Sequence, residues 1–151
     1  MKNILLLFIV LSLVACRESV DSEPDISRMF PVENRSFVLY FPTNDWKLVN
    51  QQGTDSYVGY FEKGNDKISF DYGWYNVIVH KDKNPNLISY QETTINGKSA
   101  VIAKEKTNKG FVISAIIRKG EEDRYTSTKL YCENPANEQE IIRVFRTHRF
   151  K

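Results

Sequence analysis

The chain holds few of the residues from which familiar active sites are built. Its 151 residues include only two histidines and two cysteines, whereas a zinc site takes three or four protein ligands, so His and Cys alone would not complete one. No metal is expected, and no cofactor. Seven glycines and five prolines are too few for a collagen-like or low-complexity chain. Neither sign of charge is in excess: 21 Lys and Arg stand against 19 Asp and Glu, a formal net charge of +2. A field that weak gives no reason to expect nucleic acid as a partner. A nucleophile elbow, a P-loop, a dinucleotide fingerprint, a zinc-protease motif and a calcium loop are all missing. No catalytic residue is expected, and the chain is read as a non-enzyme. No apolar run approaches the roughly 20 residues of a membrane-spanning helix. What remains, with 41% hydrophobic, 26% charged and 13% aromatic residues, is the composition of an ordinary globular domain.

The amino terminus reads as an address. Residues 1–16, MKNILLLFIVLSLVAC, carry one lysine, an apolar stretch from Ile4 to Leu11 and a small-residue end at Ala15, the layout of a secretory signal. Leu13-Val14-Ala15-Cys16 resembles the bacterial lipobox. That resemblance implies cleavage before Cys16, lipidation of its thiol and acylation of the new amino terminus. At about 0.8 kcal/mol per buried methylene, several acyl chains would hold the protein on a membrane. Arg17, where inner-membrane lipoproteins of enterobacteria carry Asp, resembles an outer-membrane destination. The acidic RESVDSEPD stretch is similar to the surface-export signals of Bacteroidetes lipoproteins, so either the periplasmic face or the cell surface is implied. Residues 1–15 are thus read as signal peptide, and residues 16–34 as lipidated Cys and flexible tether, polar and without apolar periodicity. Residues 35–151 are read as one domain.

Within that domain, short β-branched and aromatic runs alternate with turn chemistry, the pattern of an antiparallel sheet. Ser36 to Phe41 is apolar on both faces and stops at Pro42, which suits a central strand. Ser56 to Phe61 and Lys67 to Tyr72 flank Lys63-Gly64-Asn65-Asp66 as a hairpin. In the second of these, Ile68, Phe70 and Tyr72 share one face, so the strand is expected to be buried on one side. Asn96-Gly97 predicts a type I′ hairpin turn between Tyr90 to Ile95 and Lys98 to Lys104. Further strands are expected at Phe111 to Ile117 and Arg124 to Tyr131. Near the end, Asn134 is read as an N-cap with Pro135 at the first helical position, and Ile141, Val144, Phe145 and His148 recur at helical spacing. The expected fold class is α+β, an antiparallel sheet packed by a C-terminal helix.

Ser36 to Pro42, GTDSYVG at 53–59, ISFDYGW at 68–74, the Ile95-Asn96-Gly97-Lys98 turn and the closing IRVFRTHRF resemble small lipoproteins of Bacteroidetes. A helix followed by a short last strand resembles the PsbP-like sandwich. The resemblance covers most of residues 36–151 and implies a binding or adaptor scaffold.

Several groups are candidates for function. Tyr57, Tyr60, Phe61, Phe70, Tyr72, Trp74 and Tyr75 place seven aromatics within nineteen positions. They either fill the sheet core or, where exposed, offer contact area with a polar tip. Tyr57, Tyr72, Trp74 and Tyr75 are the candidate ligand-binding residues, with Trp74 and Tyr75 at the strand's end expected outside the core. Asp55 and Asp71 lie beside aromatic residues on segments that could pair, where a carboxylate pair is imaginable and solvent-facing placement is the commoner case. Cys132 is expected to be a small buried apolar residue or a reactive free thiol. Arg143, Arg146, Arg149 and Lys151 either meet an anionic surface or complement the helix dipole, and His148, at the helix end, is read as a cation favoured by that dipole. The functional expectation is a non-catalytic, lipid-anchored envelope module that binds a protein or small ligand. The alternative is an envelope immunity or inhibitor lipoprotein with one cognate partner.

Overall fold

The computed structural model describes residues 22–73, 79–120 and 126–151. Cys16, Trp74 and Tyr75 lie outside the described residues. The chain runs through β1 (Phe30–Glu33), β2 (Phe37–Phe41), β3 (Lys47–Gln51), β4 (Tyr57–Lys63), β5 (Asp66–Gly73), β6 (Leu87–Ile95), β7 (Lys98–Thr107), β8 (Gly110–Arg118), β9 (Ser127–Glu133), α1 (Glu138–Arg146) and β10 (Arg149–Phe150). Seven strands form one antiparallel sheet in the order β3-β4-β5-β9-β8-β7-β6, and three form a second in the order β1-β2-β10. The α+β class stands: antiparallel sheets with a short C-terminal helix. No helix among the described residues is long and apolar enough to cross a membrane.

The turns expected from local chemistry are in place. Asn96 and Gly97 both adopt positive φ, +49° and +70°, as a type I′ turn requires, and β6 pairs with β7 from Ile95 opposite Lys98 onward. In β2 the pleat buries Phe37, Leu39 and Phe41 and leaves Val38 and Tyr40 half-buried, with β1 and β10 on either side. It is the central strand of its sheet. β5 buries Ile68 and Phe70 and turns Lys67, Ser69 and Asp71 the other way.

The core lies between the two sheets. Phe37 of β2 meets Phe70 of β5 edge-on at 5.3 Å, and Phe61 lies 5.4 Å from Phe41. Ile141, Val144 and Phe145 of α1 extend the same cluster over Ile113, Ala115 and Ile117. The small sheet and the helix therefore cover one face of the large sheet, here termed the inner face. Gly59 belongs to this packing, because a side chain there would come within 2.7 Å of the Phe70 ring and 2.5 Å of the Val49 carbonyl oxygen.

Several elements differ from the sequence reading: β3 (Lys47–Gln51) is a strand which that reading does not include, β9 begins at Ser127, with Arg124 of the expected strand outside the described residues, and the tether and the N-cap also change. The interval read as tether, 16–34, already contains β1, because backbone pairing to β2 orders a segment whose side chains are mostly exposed. Apolar periodicity carries no signal for such a strand. The N-cap is Asn137 rather than Asn134, its Oδ1 accepting from Glu140 N at 3.1 Å. Asn134 instead takes φ +45° and clamps the β7–β8 turn: its Oδ1 accepts from Phe111 N at 2.8 Å and its Nδ2 donates to the Lys109 carbonyl at 3.1 Å. Gly110 permits the clamp, since a Cβ there would overlap the Asn134 carboxamide.

Candidate functional site

Strand alternation divides the aromatic cluster of β4 and β5 between two faces. Tyr57, Phe61, Phe70 and Tyr72 share the inner face, while Tyr60 points to the outer one, as the two-residue pleat dictates. Tyr57 and Tyr72 are brought directly opposite each other. They close one end of the core rather than standing free of it. The Tyr57 ring lies 5.2 Å from Phe70, its hydroxyl donates to Asn50, and the Arg35 guanidinium sits 4.1 Å above it. Tyr72 packs toward Phe150 at 6.4 Å. Both stay half-buried, each with one edge in solvent.

The outer face holds a group that the sequence does not single out. Register places Tyr60 opposite Ser69, Ser69 opposite Tyr131 and Tyr131 opposite Ser114, one continuous row across β4, β5, β9 and β8. Tyr60, Ser69 and Tyr131 are half-exposed. Lys67 Nζ lies 3.8 Å from the centre of the Tyr60 ring, and Lys129 Nζ 5.7 Å from that of Tyr131, distances at which an ammonium is attracted by the ring. In the next row Val58, Asp71 and Lys129 stand side by side. Toward β6 the same face is covered: Val79, Leu87 and Tyr90 pack on Ala103 and Ile116. Ser114 sits where the open and covered parts meet, 2% exposed, and its Oγ has no hydrogen-bond partner among the described residues. Aromatic faces, hydroxyls and ammonium groups on one surface suit non-covalent recognition. Tyr131 escapes a sequence reading because it lies about sixty positions from Ser69, and only the register of β5 on β9 joins them.

Other candidates are dispersed. Asp71 faces Val58 and Lys129 on the outer face, and Asp55 is exposed before β4 begins, so the two do not form an acid and base pair on a shared strand face. Among the described residues no group of three or more His, Cys, Asp or Glu is placed to hold a metal, and His80 is exposed. Cys132 lies in the core, and burial pushes its thiol up to about 11. It is a buried protonated thiol, not a reactive one.

The C-terminal cations do not make a patch. Arg143 is exposed beside residues 23–25, Arg146 is 6% exposed with a guanidinium nitrogen 3.5 Å from Gln91 Oε1, Arg149 lies over Tyr40 at 5.7 Å, and Lys151 pairs with Glu33. His148 corrects the reading of a dipole-favoured cation. The helix ends at Arg146 with Thr147 as C-cap, and the imidazole enters the core, 4.8 Å from Phe37 and 4.5 Å from Phe150. Burial draws its pKa down to about 3, so the ring is neutral.

Residues 22–25 and Met29 line a groove of about 680 Å³ against α1 and Pro42. There Asp25 accepts from Ser27 N at 2.9 Å. That backbone bond, then the Ser27 side chain and less so Arg143, lower its pKa. The groove places acidic Glu23 and Asp25 next to basic Arg143, which is the chain meeting its own helix rather than a vacant ligand site.

No protein-family model, curated protein or solved structure matches the chain.

Proposed function

We propose that this chain is a lipid-anchored bacterial envelope module of PsbP-like α+β fold, non-catalytic, held to the membrane through Cys16 and binding a protein or small ligand on the outer face of its large sheet. The observation that carries the binding part is the half-exposed row Tyr60, Ser69 and Tyr131 with Lys67 and Lys129 beside it. Aromatic rings that stay partly in solvent offer contact area at small ordering cost. The PsbP-like reading is supported by the N-terminal β1–β2 hairpin, the two antiparallel meanders β3-β4-β5 and β6-β7-β8-β9 joined through β5 and β9, and the late helix followed by a short last strand. The anchor rests on the lipobox-like Leu13-Val14-Ala15-Cys16.

Two measurements test the proposal. Metabolic labelling with an alkyne fatty acid in bacterial cells should mark the chain and fail for Cys16→Ser; equal labelling removes the anchor from the proposal. A photo-activatable residue at position 69 should give a discrete adduct in intact cells, lost when Tyr60→Ala and Tyr131→Ala are combined. One at position 139 on α1 serves as control. Adducts that are identical from both positions, or insensitive to the tyrosines, overturn the outer face as the binding surface.

A further inference from the structure

β6 is a sheet edge of unusual openness. Among the described residues it pairs only with β7, and it runs nine residues, LISYQETTI, with no Pro, Lys or Arg and a single charge at Glu92. Edge strands in folded proteins are commonly short, charged, interrupted by Pro or covered. The other edges here follow that rule. β10 has two residues, β1 contains Pro31, and the five-residue β3 begins at Lys47 and is touched by β1. Among the described residues the only such device on β6 is a bulge between Leu87 and Ser89, and Ile88 there is 55% exposed.

The turn fixes which backbone groups are unused. A two-residue type I′ loop makes Ile95 and Lys98 a hydrogen-bonded pair, so pairs two residues apart along β6, namely Thr93, Gln91 and Ser89, also bond to β7. Tyr90, Glu92 and Thr94 therefore turn their N–H and C=O groups away from the sheet. Thr94 reflects this: its carbonyl oxygen is contacted by Thr93 Oγ1 at 3.4 Å. Such a row of groups is completed by another extended strand.

We propose that the occupant is β6 of a second copy, joined antiparallel about a two-fold axis through Gln91. Charge and pleat select that register. Centring the axis on Glu92 would set two carboxylates face to face, and centring it on Tyr90 would set Glu92 against Ile88. Centred on Gln91, each Glu92 stands opposite Tyr90 of the other copy, Thr94 opposite Ile88 and Thr93 opposite Ser89. The outward-turned backbone groups of Tyr90 and Glu92 then meet those of Glu92 and Tyr90 on the other copy, while Thr94 meets the bulge at Ile88. Tyr90 is already a donor to its own Glu92 at 3.2 Å, so hydroxyl and carboxylate sit at the height where the two strands would meet on the outer face. The contact is self-complementary, as a two-fold interface must be, and continues both sheets into one.

The test is the mass of the full chain in a non-ionic detergent, by sedimentation equilibrium. A two-fold mass is expected, falling to a single chain in Glu92→Pro. That substitution removes an outward N–H and spares the ladder to β7. Should Glu92→Pro lose its far-ultraviolet signature, Thr94→Lys gives the same reading through edge charge. In intact cells Gln91→Cys should oxidise to a species of twice the chain's mass, and Lys47→Cys at the opposite edge should not. A single-chain mass up to about 100 µM, a Gln91→Cys adduct of any other mass, or equal crosslinking at position 47 overturns the proposal.

Discussion

His148 Nε2 lies 3.1 Å from Thr128 Oγ1, inside a core where the same ring is flanked by Phe37 and Phe150, and its Nδ1 has no hydrogen-bond partner among the described residues. A proton on this imidazole would be a charge among aromatic rings. The folded pKa is depressed to about 3 from an ordinary 6.5, so the unfolded chain takes up the proton first as pH falls. Stability attributable to His148 is whole above pH 6.5 and is lost as pH descends toward 3, by roughly 4 kcal/mol at the lower limit. Urea midpoints at pH 7.5, 5.5 and 4 should fall more steeply for the parent chain than for His148→Gln. Parallel slopes would place the acid sensitivity elsewhere.

Cys132 should be almost inert in the folded protein. A thiol pushed up to about 11 from 9 carries about 100-fold less thiolate near pH 8, and burial adds a barrier to reagent entry. Reaction with a disulfide reagent should be slow in buffer and fast in denaturant. Comparable rates in both would contradict the packed position.

The two asparagines near the helix start act on different things. Asn137→Ala removes the N-cap bond to Glu140 and should cost about 1 kcal/mol. Asn134→Ala removes both clamp bonds to the β7–β8 turn and should cost about 2 kcal/mol. Amide exchange separates them: only Asn134→Ala should speed exchange at Phe111, whose N–H the clamp holds. Equal acceleration in both variants would refute the clamp.

The tyrosines should likewise split by face. Tyr72→Ala opens the end of the core beside Phe150 and should destabilise by about 1–2 kcal/mol, whereas Tyr60→Ala on the outer face should stay within about 1 kcal/mol. Thermal and denaturant unfolding of the two variants gives the comparison. A larger loss at Tyr60 would make it a structural residue and weaken its assignment to a binding surface.

Local signals in the sequence locate most of the strands. Asn96-Gly97, Lys63-Gly64-Asn65-Asp66 and the alternation around Ile68, Phe70 and Tyr72 each act over a few residues, and the hairpins arise from them. Pairing between distant segments has no such signature. Nothing near Ser69 or Tyr131 announces that β5 lies against β9, so the row of hydroxyls on the outer face is invisible until the strands are paired. β1 is equally silent, because its side chains are exposed and its order comes from backbone bonds to β2. His148 misleads for a related reason. Its helical spacing with Ile141 and Phe145 marks an apolar position, but the chain leaves the helix at Thr147, and the ring is buried between Phe37 and Phe150 rather than held at a helix end.

The placement of residues 22–29 against α1 gives the domain a front and a back. The chain enters on the side occupied by the helix and the small sheet, while the tyrosine row points the opposite way. The first described residues thus lie on the helix side of the large sheet, and the tyrosines face away from them. Two copies joined edge to edge through β6 would keep that polarity, because a two-fold axis normal to the sheet leaves both entry points on one side. A partner with two matching epitopes would then meet two aligned rows at once, and its retention would rise by avidity without any new contact.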